Sequence, residues 1–153
     1  MRFYESLQSS SVAHLINESN HLVGAAFQIV HIVGIVLLLT AVLLVALRLL
    51  GLGLREQSLA EVQKLAQPFL WLGLAATVIS GSLFFVSTAV IYATKTALQI
   101  KLVLLVLAVL LQFGLVRRLV AHPASKAVAG AGAIASLTLW LGVGLAGRAI
   151  GFT

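Results

Sequence analysis

Three basic side chains stand within or at the edge of long apolar runs: His31, Lys101 and Arg148. An imidazole in an apolar helix suits axial ligation of haem iron, because the neutral ring offers one nitrogen to a metal and keeps the other for a hydrogen bond. Lys101 and Arg148 suit anions. The only acids are Glu5, Glu18, Glu56 and Glu61, and nothing after Glu61 is acidic, so neither cation has a carboxylate in its own span. A charge in hydrocarbon is paired, lines a cavity or snorkels to the interface. Two readings follow: the cations reach outward to phosphates, or they face inward and hold an anion that the chain does not supply. Haem propionates, a lipid headgroup or a quinone-like oxygen would serve. His31 likewise has a quiet alternative, a neutral ring donating to a backbone carbonyl or to Gln28, Ser80 or Gln112.

Composition fixes what positions these groups. The chain has 153 residues, 61% hydrophobic and 9% charged, whereas a soluble domain is about 45–50% apolar and about 25% charged. It reads as one integral membrane domain over residues 1–153. With no cysteine, disulfides and thiolate metal sites are excluded. Copper handling would want Met, Cys or clustered His, and the spans offer little of these. No Ser/His/Asp constellation or phosphate loop is present, and no intramembrane acid for proton-coupled transport. The net charge of +6 comes from ten basic residues against four acids. These gather at helix ends and in loops, which suggests anionic lipid headgroups and no nucleic acid. The first twenty residues lack the pattern of a secretory signal.

Apolar runs of about twenty residues predict four transmembrane helices, near residues 22–50, 68–92, 98–119 and 127–152. Pro68 is read as a helix start and Pro123 as a breaker. "GLGLREQSLAEVQKLAQ" reads as a polar surface connection, and the N-terminal residues as a short interfacial helix. The fold class is therefore all-α: a polytopic membrane protein, an antiparallel bundle of four transmembrane helices with a short N-terminal interfacial segment. Six basic residues (Arg48, Arg55, Lys64, Arg117, Arg118, Lys126) flank the first and third loops, against Arg2, Lys95, Lys101 and Arg148 toward the other side. The positive-inside rule then puts both termini on the periplasmic face of a bacterial inner membrane.

With about 1.5 Å of rise per residue, His31 and Lys101 share a level about 25 Å from Arg48 and Arg118. Arg148 lies at or just beyond that level, Trp140 comes close to it, and Tyr92 sits near the rim. "HIVGIVLLLTAVLLVALRLLG" aligns at an offset of seventy with "KLVLLVLAVLLQFGLVRRLVA", matching His31 to Lys101. "LWLGLA" and "LWLGVG" align at sixty-nine. A two-helix duplication would give this pattern. "AVAGAGAIAS" in span four is dense in small residues, which suit close packing within the protomer or between copies.

The segments "IVHIVGIVLLLTAVLLVALRLLGL", "PFLWLGLAATVISGSLFF", "ALQIKLVLLVLAVL" and "LTLWLGVGLAGRAIGF" resemble a family of small, uncharacterised bacterial four-helix inner-membrane proteins. These carry a domain-of-unknown-function label and are loosely grouped with copper-resistance CopD-like proteins. The resemblance runs from about Asn17 to Phe152. It rests on His31 and Gly34, the "LRLLGL" ending span one, Lys101, Trp140 and Gly147–Arg148. Such proteins typically carry Asp where this chain has Ala46, and His21 falls where an apolar residue or proline is expected. The resemblance implies the architecture and the residues of interest, and no reaction.

The leading expectation is a cofactor-binding membrane protein, without catalysis of its own. It would hold b-type haem through His31, with Lys101 and Arg148 on the propionates and Trp140 and Tyr92 nearby, for electron transfer or haem handling. The alternative is a structural or accessory subunit that forms a homo-oligomer or packs in a larger membrane complex. A small-solute or copper permease ranks third.

Overall fold

The computed structural model describes residues 2–18, 21–122 and 124–152, and is all-helical among them. Two short helices, α1 (Arg2–Gln8) and α2 (Ser11–Glu18), precede α3 (His21–Leu50), α4 (Leu59–Ser87) and the short α5 (Ala89–Ala93). Helix α6 (Thr96–Leu110) runs through a π-helical stretch, Leu111–Val116, into α7 (Arg117–Ala121). Helix α8 (Lys126–Ala149) ends in a 3-10 turn, Ile150–Phe152. Four of these units are long and apolar enough to cross a membrane: Leu22–Leu50, Leu59–Ser87, Thr96–Ala121 and Lys126–Phe152. In hydrocarbon the backbone must satisfy its own hydrogen bonds, so unbroken runs of Leu, Val, Ile and Ala become helices whatever their intrinsic propensity. The breaker role read for Pro123 lies outside the described residues.

The second span differs from its sequence reading. It starts at Leu59, and Pro68 lies inside it. Ser58 accepts a hydrogen bond from the Glu61 N–H at 3.2 Å, while the Glu61 carboxylate accepts one from the Ser58 N–H at 2.7 Å. This reciprocal capping box nucleates the helix earlier. Pro68 then removes one backbone donor, which long membrane helices tolerate. The span also stops sooner. The Ser87 and Thr88 hydroxyls both donate to the Phe84 carbonyl, and Tyr92 falls on α5 beyond the break.

Helices α3 and α4 form one antiparallel hairpin and α6 and α8 another, joined where α3 packs on α8. The α3–α4 seam is tight. A Cβ on Gly73 would lie 2.6 Å from the Gly34 carbonyl oxygen and 2.6 Å from the Leu38 nitrogen, so backbone touches backbone there. Among the described residues α4 and α6 share no comparable interface, and α4 instead meets α7. The helices thus form an arc in the order α4, α3, α8, α6. Its two ends approach each other where Trp71 stacks on Phe113, ring centroids 4.6 Å apart. The buried core joins Leu38, Val42 and Val45 of α3 to Leu70, Ala108, Val116 and Trp140. Small residues at the start of α8 pack within the protomer: a Cβ on Gly132 would meet Leu119 at 2.5 Å.

Alternating chain direction divides the bundle into a histidine end, with His31, Lys101 and the N-terminal helices, and an arginine end, with Arg48, Arg117 and Arg118. At the histidine end α1 and α2 lie against α4 and α5. Tyr4 meets Phe85 edge to face, the Val90 N–H donates to Gln8, and Asn17 donates to the Ser87 carbonyl. Phe3 and Leu15 stay exposed, as suits helices at a membrane interface.

Candidate functional site

Helical spacing sets the inward stripes. On α3, His31 shares a face with the buried Leu38, Val42 and Val45; on α6, Lys101 lies between the buried Ala97 and Ala108. On α8 the same face carries Ser136, Trp140, Val143 and Gly147. His31 and Lys101 therefore both belong to the packed side of the arc, one from each hairpin.

The His31 ring rests on α4. Its Nδ1 lies 2.8 Å from the Ser80 oxygen. Ser80 gives its single hydroxyl proton to the Ala76 carbonyl at 2.6 Å, so it can only accept from the ring. His31 Nδ1 therefore carries the proton, and in the neutral imidazole Nε2 keeps its lone pair. Gly81 makes room for this arrangement, since a Cβ there would lie 3.1 Å from the ring carbon Cε1. Phe84 meets the ring edge to face at 6.4 Å. Ser80, one of the partners expected from the sequence, is thus the partner found.

Lys101 extends along α8 over Gly147, where a Cβ would meet its Nζ at 3.1 Å. The glycine leaves a lane for the side chain. Lys101 is partly buried and has no hydrogen bond or ion pair among the described residues. Two further groups are orphaned. The Thr77 hydroxyl oxygen, beside Gly34, and the indole nitrogen of Trp140 are both buried without a hydrogen-bond partner among the described residues.

The remaining candidates stand apart. Trp140 is 2% exposed and sits in the core cluster, seven residues below Gly147 and so about 10 Å deeper than Lys101. Arg148 is exposed, with its guanidinium 4.7 Å from the centre of the Phe152 ring. Tyr92 is partly buried on α5. Sequence reasoning missed Thr77 and Gly81, whose signal was a hydroxylic and a small residue at the level of the two basic groups, whereas Gly147 was already singled out beside Arg148.

Over residues 3–153 the chain matches the Family of unknown function (DUF6644). It belongs to that family. No curated protein and no solved structure matches it. Family membership agrees with the resemblance carried by His31, Lys101 and the "GR" at Gly147–Arg148. Among the described residues no three His, Cys, Asp or Glu side chains come together as a metal cage.

Proposed function

We propose that the protein is a non-enzymatic cofactor-binding protein of the bacterial inner membrane, with both termini periplasmic, that holds b-type haem for electron transfer or haem handling. His31 Nε2 would hold its iron. The reading is supported by the Ser80 hydrogen bond, which puts the ring proton on Nδ1 and leaves the Nε2 lone pair for a metal. Metal-ligating histidines characteristically donate their other ring nitrogen in this way. Lys101, without a carboxylate of its own, is the partner for a propionate; Arg148 is a second cation at the same level once it leaves Phe152. Gly81 leaves room for the imidazole and Gly147 for the lysine, and Trp140 lies beneath them with an N–H to give. Haem bound here would supply one-electron chemistry in a low-dielectric site. A second protein ligand, if the haem took one, would come from His31 of another copy.

Absorption of detergent-purified protein from haem-replete cells tests this. A Soret band is expected, and His31→Ala should abolish it. A colourless protein, or a band unchanged by His31→Ala, overturns the reading. The accessory-subunit reading has one observation in its favour: the Ser80 bond also satisfies a histidine that merely packs. It requires a colourless protein whose oligomeric state survives His31→Ala.

A further inference from the structure

The arginine end carries a second site that the haem reading does not use. Between α4 and the α6–α7 junction lies a cavity of about 40 Å³ lined by Gln63, Gln67, Trp71, Gln112, Phe113 and Arg117. It is built where the helix departs from α geometry. The π-helical stretch Leu111–Val116 turns Gln112 inward, where its amide oxygen accepts a 2.8 Å hydrogen bond from Ser136. Single π turns in long helices often mark functional positions.

Polarity runs along the cavity in one direction. Gln63 lies four residues inside α4 and Arg117 four residues before the end of α7, each about 6 Å from its helix end. Deeper in, Leu70, Trp71 and Phe113 supply an apolar wall. Two groups at the polar end want partners. The Gln63 side-chain oxygen is buried without a hydrogen bond, and Arg117 has no ion pair among the described residues. Three neighbouring charges are committed. Arg48 and Arg55 donate to the Gln57 and Gly51 carbonyls, and the Glu61 carboxylate caps its own helix. At this end Arg48, Arg55, Lys64, Arg117, Arg118 and Lys126 outnumber Glu56 and Glu61.

We propose that this cavity is a binding site for an anionic phospholipid. Its phosphate lies on the Arg117 guanidinium, and a headgroup hydroxyl donates to the Gln63 oxygen. The first methylenes of one acyl chain lie against the Trp71–Phe113 stack. Basic pockets between membrane helices at the interface bind such headgroups, and guanidinium matches phosphate in a two-pronged geometry. A free phosphate would satisfy only the polar end, whereas the apolar continuation matches a molecule that is charged at one end and greasy at the other. This site stands independently of the haem reading.

Trp71 lies in the wall and reports occupancy. The protein is reconstituted in phosphatidylcholine vesicles containing increasing fractions of phosphatidylglycerol, with bromine on the acyl chains of one lipid or the other. Tryptophan quenching is measured, and the Trp71→Phe variant identifies the Trp71 component. The expected result is half-quenching at about fivefold lower mole fraction for phosphatidylglycerol than for phosphatidylcholine. Arg117→Gln should remove this preference, Gln63→Leu should reduce it, and Arg118→Gln should keep it. Arg117→Lys, which keeps the charge but loses the planar fork, should retain part of it and serves if the glutamine variant does not fold. Equal quenching by the two lipids overturns the proposal. So does a preference that survives Arg117→Gln, or one lost equally in Arg118→Gln. Reversal of the quenching by millimolar inorganic phosphate also overturns it, because the site is then a phosphate site and not a lipid site.

Discussion

The two hairpins of the bundle are built to one plan and finished differently. Each begins near the histidine end with a helix carrying one basic side chain on its packed face, His31 in α3 and Lys101 in α6, seventy positions apart. Each returns on a helix that meets that side chain with glycine: Gly81 under the imidazole, Gly147 under the lysine. Yet His31 is hydrogen-bonded to its returning helix, while Lys101 has no hydrogen-bond partner among the described residues on its own. The cross-interfaces differ too. Helix α3 packs on α8, whereas α4 and α6, the pair a two-fold relation would bring together in the same way, lack a comparable interface. A duplicated hairpin with exact symmetry would close both. Leaving one unclosed gives the bundle a seam between α4 and α6, with the His31 ring resting on α4 and Lys101 rooted in α6.

The sharpest way to break the comparison is to attack the seam that holds the first hairpin shut. A side chain at Gly73 must displace the α3 backbone itself, because its Cβ would lie 2.6 Å from Gly34 O and Leu38 N. Gly73→Leu should destabilise the protein by about 3 kcal/mol or more, seen as a large fall in melting temperature in detergent and loss of any haem absorbance. Gly144→Leu on the second hairpin is the control. Nothing lies within 4 Å of a Cβ there, and the change should stay within about 0.5 kcal/mol. Equal effects would mean that the first hairpin is not the tighter of the two.

Next in size is the hydrogen bond that distinguishes His31 from Lys101. Ser80→Ala leaves the imidazole in place but removes the serine oxygen from its Nδ1. Loss of such an outer partner typically weakens metal binding about 10–100-fold. Haem titration of the purified apoprotein should show that loss with a Soret band still present, in contrast to His31→Ala, which should show none. An unchanged affinity would mean that packing against Phe84 and Gly81 orients the ring without help from the serine.

Much of this layout was legible. Unbroken apolar runs gave four spans, and helical rise brought His31 and Lys101 to one level. Ser80 is one of the polar side chains the sequence offers the imidazole. The start of α4 departs from the Pro68 signal because "SLAE" at Ser58–Glu61 carries the capping box in plain view. Two determinants were not readable at all. Leucine-rich spans are apolar on every face, so no periodicity said which residues point inward, and which pair of helices stays apart depends on contacts between distant segments. The depth of Trp140 and the outward turn of Arg148 are consequences of that packing.

A smaller effect is expected at the other polar contact of the interior. Ser136 and Gln112 tie α8 to the π-helical stretch at the arginine end. Ser136→Ala should destabilise the protein by about 0.6 kcal/mol, and at most about 1.7 kcal/mol, as hydrogen bonds between membrane helices do. It should leave haem absorbance untouched. A spectral change on this substitution would couple the two ends of the bundle, which the separation of Gln112 from His31 argues against.

The smallest effect belongs to Arg148, and it decides how many cations serve the layer. The guanidinium is exposed and rests on the Phe152 ring, an arrangement worth about 0.5–1 kcal/mol at such a site. Arg148→Gln should therefore lower stability by no more than that. If Lys101 alone answers the anion, haem affinity should change less than about twofold, while Lys101→Gln lowers it clearly. If Arg148→Gln weakens binding as much as Lys101→Gln does, the guanidinium leaves Phe152 when the ligand arrives. The second hairpin would then contribute two charges against the single imidazole of the first, and the asymmetry between the hairpins would be greater with ligand bound than without it.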